Sequence, residues 1–241
     1  MTRRRWIADE ISGNRAFLIG PHADHLARVL RARVGQEFDI AAGTSVRRGR
    51  IVTIGRDRVE FELEEEVPAV AVASVTLVLS IFKFDRLEWA IEKCTELGVS
   101  RIVPLIARRT DAHLASAAVK RVERWRRIAR EASQQSRRAS VPEVADPVKP
   151  KEAVVMAGAT RVLLAESSAE VSLQDAVRTH AHESVILGVG PEGGWTEQEA
   201  DLFRQAGWIS ASLGSTILRA ETAAIAAVAV VMALLKPESN G

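Results

Sequence analysis

Two glycine-bearing loops near the carboxyl end of the sequence carry residue types suited to holding a ligand. The first loop follows the apolar run 185–189 and reads Gly190-Pro191-Glu192-Gly193-Gly194-Trp195. The second follows residues 209–213 and reads Gly214-Ser215-Thr216-Ile217-Leu218-Arg219-Ala220-Glu221-Thr222. Paired glycines let the backbone turn sharply and bring main-chain N–H groups close to a ligand, while Pro191 stiffens the approach. The loops therefore predict a small-molecule site.

Each loop stands between a strand-like run and a helix-like run. Short apolar runs that end in glycine and lead into helical periodicity are typical of parallel strands feeding crossover helices. After the first loop, Thr196 and Glu199 form a capping box, which predicts a helix from Thr196 to about Ala206, with Gly207 at its end. Ligands of open α/β sheets bind at the carboxyl ends of such strands, where both loops would lie.

Charge is unevenly distributed along the chain, although the formal net charge is only +2. Residues 1–58 hold 12 Lys and Arg against 6 Asp and Glu, and residues 101–140 hold 11 against 3. Nearly all of these cations are arginines, whose forked guanidinium groups suit phosphate oxygens. Two such clusters favour a phosphate-rich polyanionic partner over a merely solvated charged face.

Composition excludes several classes of protein. At 241 residues and 47% hydrophobic, the chain can bury a core. A single cysteine, Cys94, excludes an internal disulfide framework and a cysteine-built metal site. No signal peptide is recognisable, and the longest uncharged apolar run, residues 222–235, is shorter than the roughly 20 residues that span a bilayer. We expect a cytoplasmic protein with no membrane segment and no metal.

The first 70 residues predict a small β-rich module. Four runs alternate with period two, and Gly43, Gly49 and Gly55 are expected at turns between them. Residues 21–33 carry Leu26, Val29 and Leu30 at helical spacing, which predicts one short helix. The acidic, proline-ended stretch 64–69 marks a boundary, so we expect domains at 1–70 and 71–241.

The sequence of the second domain predicts alternating strands and helices. Residues 75–81 and 99–105 are strand-like and enclose a helix that an Asp85–Glu88 pair caps and Gly98 ends. Such a βαβ unit implies a parallel sheet. Cys94 falls on the apolar stripe of this helix and is expected in the core. A basic helix over 119–136, a linker over 141–151 and a strand over 161–165 follow.

Residues 188–193 also satisfy the dinucleotide-binding pattern G-x-G-x-x-G. That fingerprint normally opens its domain, an acidic residue ends the next strand, and no proline stands inside the turn. Here only about 50 residues follow, the next strand ends Ala211-Ser212-Leu213, and Pro191 lies within the turn. These three departures count against dinucleotide binding. Binding of NAD by an oxidoreductase is kept only as an alternative hypothesis.

The two loops together resemble the signature of the bacterial RsmE family of small-subunit rRNA methyltransferases, in the SPOUT class. The resemblance also includes residues 95–99, the helix around Trp125, and a His-x-x-x-Val-Leu-Arg pattern from His25 to Arg31. It implies an α/β fold in which a trefoil-knotted parallel-sheet domain follows a small PUA-like β-barrel. It further implies a homodimer that uses S-adenosylmethionine to methylate N3 of a uridine in the decoding region of 16S rRNA, within the assembled small ribosomal subunit.

The resemblance assigns roles to individual residues. Cofactor contacts are expected from Leu164, Glu166, Gly188, Gly190, Pro191, Glu192, Gly193, Leu213, Gly214, Ser215, Ile217 and Leu218. Contacts with rRNA phosphates are expected from Arg3, Arg4, Arg5, Arg28, Arg31, Arg33, Arg124, Arg127, Arg137 and Arg138. Such contacts set position and affinity and do not select the base.

Arg219 and Glu221 are the candidate catalytic residues. The fixed charge of Arg219 could stabilise negative charge developing on uracil or orient a substrate phosphate. Alternatively, Arg219 could serve only to pair with Glu221 or Glu192. The general base stays open among Glu221, Glu192, His113 and water. A non-catalytic RNA-binding module is a further alternative.

Overall fold

The chain divides into two units, each with its own β-sheet. The structure is a computed structural model that describes residues 5–42, 45–67, 74–136, 138–158, 160–165, 171–180 and 184–235. The first unit comprises Met1–Val70 and Ser133–Val141, and the second comprises Ala71–Ala132 and Pro142–Gly241. The sequence placed Ser133–Val141 in the second domain. This segment groups with the first unit because Ala139 and Val141 pack against the buried residues Ile7, Ala41 and Val46.

The first unit is built on a six-stranded sheet with the order β1-β4-β5-β6-β3-β2. Neighbouring strands are antiparallel except for the parallel pair β1 and β4. Alternation of buried and exposed side chains places Leu18, Ile40, Ile51 and Phe61 in one core. The strands are β1 (Arg5–Ile7), β2 (Glu10–Ser12), β3 (Arg15–Ile19), β4 (Glu37–Ala42), β5 (Ser45–Ile54) and β6 (Arg58–Val67).

Gly49 does not lie at a turn, as its residue type predicted, but inside β5. A Cβ at this position would lie 2.4 Å from Cγ1 of Ile40 and 3.3 Å from Cβ of Phe61. Glycine is therefore required by close packing rather than by a bend. Gly55 does lie at the turn between β5 and β6, where its N–H donates to the carbonyl of Arg58 at 2.7 Å.

The expected helix over 21–33 is shorter and changes type. Helix α1 (Pro21–Asp24) continues into a π-helical turn (His25–Val29), in which the N–H of Leu30 donates to the carbonyl of His25 at 3.0 Å. The wider turn alters the phase of the side chains. Leu26 is buried as predicted, but Val29 is 64% exposed and does not belong to the apolar face.

The second unit contains a seven-stranded sheet whose neighbouring strands are all parallel, which confirms the predicted α/β class. The strand order is β11-β13-β10-β12-β7-β8-β9. Strand β10 therefore lies between β12 and β13, the two strands that precede the glycine-bearing loops. The strands are β7 (Ser74–Ser80), β8 (Arg101–Leu105), β9 (Glu143–Val144), β10 (Thr160–Leu164), β11 (Val171–Ser172), β12 (Ser184–Val189) and β13 (Ile209–Ser212).

Helices alternate with most of these strands, and the last helix follows β13. They are α2 (Phe84–Leu97), α3 (Ala112–Gln135), α4 (Pro150–Ala153), α5 (Leu173–His180), α6 (Glu197–Gln205) and α7 (Ala220–Leu234). As predicted, α2 ends at Gly98, whose φ is 115°. The predicted Asp85–Glu88 cap is wrong, because the N-cap is Lys83 and Glu88 instead accepts a hydrogen bond from Arg124. Among the described residues, none of the helices has the length and apolarity needed to cross a membrane.

The predicted linker over 141–151 contains ordered structure. Its residues Glu143 and Val144 form β9, which pairs with Arg101 and Ile102 of β8 at the sheet edge. An edge strand tolerates nearby prolines because only one of its sides needs backbone hydrogen bonds. A proline-rich composition therefore concealed a short strand and the start of α4.

Candidate active site

The first loop turns away from the sheet directly after β12. Gly194 has a φ of 70°, and its N–H donates to the carbonyl of Pro191 at 2.8 Å. Helix α6 then begins with the predicted capping box. The Thr196 hydroxyl accepts from the N–H of Glu199 at 3.3 Å, and the Glu199 carboxylate accepts from the N–H of Thr196 at 3.0 Å. The loop is thus fastened at its carboxyl end.

Trp195 fastens the same loop to the neighbouring strand β10. Its indole N–H donates to the carbonyl of Leu164 at 2.8 Å, and its ring packs against Phe203 with centroids 5.2 Å apart. A Cβ on Gly190 would lie 3.1 Å from the indole nitrogen. Glycine at position 190 therefore allows the indole to reach β10.

Arg109, which follows β8, clamps the loop from the other side. Its Nη1 donates to the carbonyl of Gly193 at 2.5 Å and to that of Trp195 at 3.3 Å. A Cβ on Gly193 would lie 3.3 Å from Cδ of Arg109, so glycine makes room for this side chain. The adjacent backbone N–H of Arg108 donates to the buried carboxylate of Glu199 at 2.7 Å.

The second loop leaves β13 at Gly214, whose φ is 136°. From Ser215 to Leu218, the backbone N–H groups have no hydrogen-bond partner within the described ranges of the chain. Ile217 is 83% exposed, although it is strongly apolar. Helix α7 follows with Arg219 as its N-cap, and the Arg219 side chain makes no capping hydrogen bond. The loop therefore offers free backbone donors beside an uncovered apolar side chain.

The two loops and the end of β10 surround one cavity of about 860 Å³. Parallel strands place their carboxyl ends at the same edge of a sheet, so the order β12-β10-β13 brings the loops together. A cavity of this volume suits a cofactor-sized ligand. Its lining includes Arg109, Leu164, Ala165, Val189–Thr196, Ser212–Gly214, Thr216–Ala220 and Ala223.

Arg86, in the first turn of α2, pairs with two carboxylates, that of Glu192 in the cavity lining and that of Glu221 outside it. Its Nη1 lies 2.9 Å from Oε1 of Glu192, and its Nε lies 3.7 Å from Oε1 of Glu221. Arg219 is exposed and lines the cavity, and no ion pair joins it to any residue that the structure describes. Glu192 and Glu221 thus pair with Arg86 rather than with Arg219.

Comparison with known proteins places this geometry in a family. A family model described as an RNA methyltransferase domain matches residues 70–232. A ribosomal RNA small subunit methyltransferase E from Mycobacterium bovis is 34% identical over 230 residues, covering 91% of this chain and 87% of that protein. A homologue of the same name from Synechocystis is 33% identical over 221 residues, covering 88% of this chain and 71% of that protein.

The chain belongs to the ribosomal RNA small subunit methyltransferase E family. A solved member from Neisseria gonorrhoeae, bound to S-adenosyl methionine, has a TM-score of 0.84 at 30% identity and covers 97% of this chain and 98% of that one. A methyltransferase from Legionella pneumophila in complex with the same cofactor has a TM-score of 0.81 at 26% identity, with coverage of 97% and 98%. These findings confirm the predicted family.

Most of the residues assigned to the cofactor come together in the structure. The cavity is lined by Leu164, Gly190, Pro191, Glu192, Gly193, Leu213, Gly214, Ile217 and Leu218, and also by Arg219. Ser215 and Glu221 are not part of the lining, and Glu166 lies outside the described residues. Gly188 lies within β12, where a Cβ would be 3.0 Å from Cδ1 of Leu163 and 3.3 Å from Trp208, so its observed role is packing.

The geometry does not match the dinucleotide fingerprint. In that pattern the third glycine opens the helix, whereas here Gly193 precedes the start of α6 at Glu197 by four positions. The carbonyl of Gly193 instead accepts from Arg109. Membership of the methyltransferase E family also argues against the alternative of an NAD-dependent oxidoreductase.

Three residues that position the site were absent from the sequence-based assignments, namely Arg86, Arg109 and the indole of Trp195. Arg86 and Arg109 contact partners 106 and 84 positions away in the chain. A signal for Arg109 did exist, because it follows β8 at the same sheet edge as the loops. No local pattern indicates the partners of Arg86.

Two other chemically active side chains lie apart from the site. Cys94 is fully buried on α2 as predicted, and burial raises the pKa of its thiol to about 12. His113, a candidate base, does not line the cavity, and its Nδ1 lies 2.6 Å from Oδ1 of Asp111. No group of three or more His, Cys, Asp or Glu that could hold a metal occurs within the part of the chain that the structure describes.

The arginines assigned to rRNA differ in whether their charge is already paired with a carboxylate of the protein. Arg28 pairs with Asp24 at 2.7 Å, Arg124 with Glu88 at 2.7 Å, and Arg127 with Glu131 at 3.9 Å. Arg5 lies 3.9 Å from Asp39. Partial burial lowers the pKa of Arg138 to about 10, and its Nε donates to the carbonyl of Ser140 at 3.2 Å.

Arg31 and Arg33 differ from these because they are exposed and form no ion pair with residues that the structure describes. Arg31 is the one non-glycine residue with positive φ in the described ranges, at 52°. Its backbone holds the side chain on the surface turn after the π-helical segment. Arg3, Arg4 and Arg137 lie outside the described residues.

Proposed function

We propose that this chain is an S-adenosylmethionine-dependent methyltransferase that modifies N3 of a uridine in the decoding region of 16S rRNA. We further propose that it acts in the cytoplasm on the small ribosomal subunit in its assembled form. Family membership and the names of the relatives support the reaction class. The observation that carries the proposal is the cavity between the two loops, which combines backbone donors and an arginine, Arg219, that have no partner among the described residues.

The cavity fits the chemistry of S-adenosylmethionine. The apolar side chains of Leu164, Val189, Leu213, Ile217 and Leu218 provide walls for a flat adenine ring. Backbone N–H groups from Thr216 to Leu218 line the cavity without a partner in the described chain and can donate to polar atoms of the ligand. Two solved relatives with this fold are bound to the same molecule.

Bound S-adenosylmethionine supplies a methyl group on a positively charged sulfur, which a nitrogen nucleophile can displace. In the proposed reaction the sulfur–carbon bond breaks as the bond from carbon to uracil N3 forms, and N3 loses its proton. The loops therefore act chiefly by holding donor and acceptor in line, an effect worth up to roughly 7 to 11 kcal/mol. Negative charge on the uracil oxygens accompanies loss of the N3 proton.

We assign stabilisation of that charge to Arg219. Its guanidinium lines the cavity and makes no ion pair in the described chain, so its charge is available to substrate. Glu221 is buried on α7 and faces Arg86, so we propose that it supports the loop and does not accept the N3 proton. Glu192 lines the cavity, but its carboxylate pairs with Arg86, and we propose that water accepts the proton.

We propose the finer architecture on the basis of the family resemblance. The loops after β12 and β13 would form a trefoil knot. Residues 1–70 of the first unit would form a PUA-like RNA-binding barrel, and the second unit would form the methyltransferase domain. The protein would act as a homodimer. The parallel sheet and the resemblance to solved family members support this architecture.

The test is transfer of labelled methyl from S-adenosylmethionine to small subunits that lack the modification, followed by digestion to nucleosides. Label in 3-methyluridine is the expected result. Label in a different nucleoside would contradict the proposed atom and base. Absence of label from folded protein that still binds RNA would instead favour a non-catalytic RNA-binding module.

A further inference from the structure

Arg86 joins three elements around the cavity through one guanidinium group. It stands in the first turn of α2, while its partners Glu192 and Glu221 belong to the loop after β12 and to the first turn of α7. The distances are 2.9 Å to Glu192 and 3.7 Å to Glu221. A planar guanidinium can serve two carboxylates at once because its donors point in different directions.

The two carboxylates differ in burial, and therefore in how much the loss of Arg86 would destabilise their charged form. The Glu221 side chain is only 8% exposed, and its Oε2 is buried without a hydrogen-bond partner in the described chain. A buried carboxylate is costly unless a counter-charge lies close to it. The side chain of Glu192 is 41% exposed and shares the cavity lining with Arg219, so without Arg86 it would be an anion with no ion-pair partner in the described chain.

Arg219 lies two residues before Glu221 and shares the cavity lining with Glu192. An exposed guanidinium with a carboxylate on the same cavity wall would ordinarily attract it. Glu192 and Glu221 are instead directed to Arg86, and the lining carboxylate Asp201 pairs with Arg204. Arg219 pairs with no residue of the described chain. The free charge on Arg219 thus depends on which cation holds Glu192.

We propose that Arg86 is a positioning residue that occupies Glu192 and Glu221 and thereby keeps Arg219 available to the substrate. The inference rests on the proposed function of Arg219 and extends it to a residue outside the cavity lining. A purely structural role, in which Arg86 only attaches α2 to α7, makes a different prediction. In that case the effect of losing Arg86 would not depend on the charge of Glu192.

Lys93 provides a matched control on the same helix. Its side chain is 33% exposed against 32% for Arg86, and it also pairs with two carboxylates, Glu92 at 2.7 Å and Glu96 at 2.9 Å. None of these three residues lines the cavity. Lys93→Ala therefore removes a doubly paired cation from α2 without altering the surroundings of Arg219.

The experiment is a double-mutant cycle with Arg86→Met and Glu192→Gln, in which methionine keeps most of the apolar stem of arginine. Methyl transfer to undermethylated small subunits is measured at saturating cofactor, S-adenosylmethionine affinity by calorimetry, and folding by thermal melting. We expect Arg86→Met to lower the rate by about 10- to 100-fold, the range of coupling between contacting residues. In the Glu192→Gln background, the same change should lower it less than about threefold.

The expected pattern also includes unchanged cofactor affinity in Arg86→Met and unchanged rate in Lys93→Ala. An Arg86→Met rate equal to wild type, or an equal loss in both backgrounds, would overturn the inference. If Arg86→Met does not fold, Arg86→Gln takes its place in the cycle under the same criteria, since its polar amide carries no charge to pair with either carboxylate. Arg219→Ala is measured in parallel. Full activity in Arg219→Ala would mean that the proposed function of Arg219 has failed, whereas loss there beside a fully active Arg86→Met would count against Arg86 alone.

Discussion

At Arg219 the backbone takes part in helix α7, whereas the side chain does not. Its carbonyl accepts from the N–H of Ala223 at 2.8 Å and so begins α7, whereas its side chain makes no capping hydrogen bond. Removing the side chain should therefore leave the helix intact. Arginine at this N-cap, where Ser, Thr, Asp and Asn are preferred, does not help the helix to start. The residue type is better explained by the cavity than by the fold.

We expect Arg219→Ala to lower the rate of methyl transfer by about 100- to 1000-fold, the usual cost of removing one donor that stabilises a developing anion. Thermal melting should be unchanged, and single-turnover kinetics at saturating cofactor would measure the loss. Arg178→Ala is the control, because Arg178 is an exposed arginine of α5 outside the cavity lining. A melting temperature that falls together with activity would indicate a structural role instead.

Cys94 gives a second prediction at the level of a single residue. Burial raises the pKa of its thiol from 9.0 to about 12, so the reactive thiolate is scarcer by about a thousandfold in the native protein. A disulfide reagent should label native protein very slowly at pH 8 and should label denatured protein at once. Rapid labelling of the native state would show that the thiol is accessible and that α2 opens readily.

The loop after β12 is held in place by Arg109 from outside it and by its own Trp195. Arg109 binds two of its carbonyls, at Gly193 and Trp195, while Trp195 binds β10. We expect Arg109→Ala to weaken cofactor binding by about tenfold, because two hydrogen bonds of roughly 0.5 to 1.5 kcal/mol each would no longer order the loop. Calorimetric titration with S-adenosylmethionine would measure this effect.

The neighbouring Arg108→Ala variant is the control for Arg109. The Arg108 side chain bonds Gln198 of α6, and its backbone N–H, which binds Glu199, survives the substitution. Cofactor affinity should therefore be unchanged in this variant. Equal losses in both variants would mean that the general positive charge of this turn, and not the clamp, supports binding.

Gly49 in β5 allows a stability prediction for the first sheet. Its missing Cβ leaves space for the fully buried side chain of Ile40, which would otherwise lie 2.4 Å away. Gly49→Ala should lower the free energy of unfolding by about 1 to 3 kcal/mol through overpacking. Urea unfolding would measure this change. Thr53→Ala, at an exposed position of the same strand, should alter stability by less than about 0.5 kcal/mol.

Sequence periodicity predicted the elements well where burial repeats regularly. Strands β7, β10, β12 and β13, together with the capping box of α6, were recognisable because each residue type matches its local surroundings. The π-helical turn was missed because Leu26 and Leu30 still satisfy an ordinary helical spacing. Strand β9 was missed because two residues pairing with a distant strand leave no periodic pattern.

The distribution of charge over the whole molecule could not be inferred from counts of arginine. On the first sheet, Arg15, Arg48, Arg50 and Arg58 all pair with glutamates of other strands. On α3, Arg121 and Arg124 both face Glu88 of α2. Cross-strand and interhelical partners are remote in sequence, so composition identified the excess of cations without showing which ones are free. Grouping of Ser133–Val141 with the first unit was equally hidden, because only packing reveals it.

This difference between paired and unpaired arginines predicts how the molecule as a whole binds RNA. Arg31 and Arg33 are exposed without ion pairs in the described chain, so both can release counterions from phosphates. Arg15 and Arg50 are held by Glu60, Glu37 and Glu64, and moving them to phosphate would first break those pairs. The double variants Arg31→Ala/Arg33→Ala and Arg15→Ala/Arg50→Ala remove the same formal charge from the same unit.

We expect Arg31→Ala/Arg33→Ala to weaken binding to 16S rRNA fragments and to reduce the slope of log affinity against log salt by roughly 0.7 to 0.9 for each arginine that contacts a phosphate. Arg15→Ala/Arg50→Ala should leave the slope nearly unchanged, because those charges are already neutralised within the sheet. Fluorescence anisotropy over a salt series would measure both. Equal reductions in the two variants would mean that RNA responds to net charge alone, and the ion pairs seen within the sheet would then have no influence on binding.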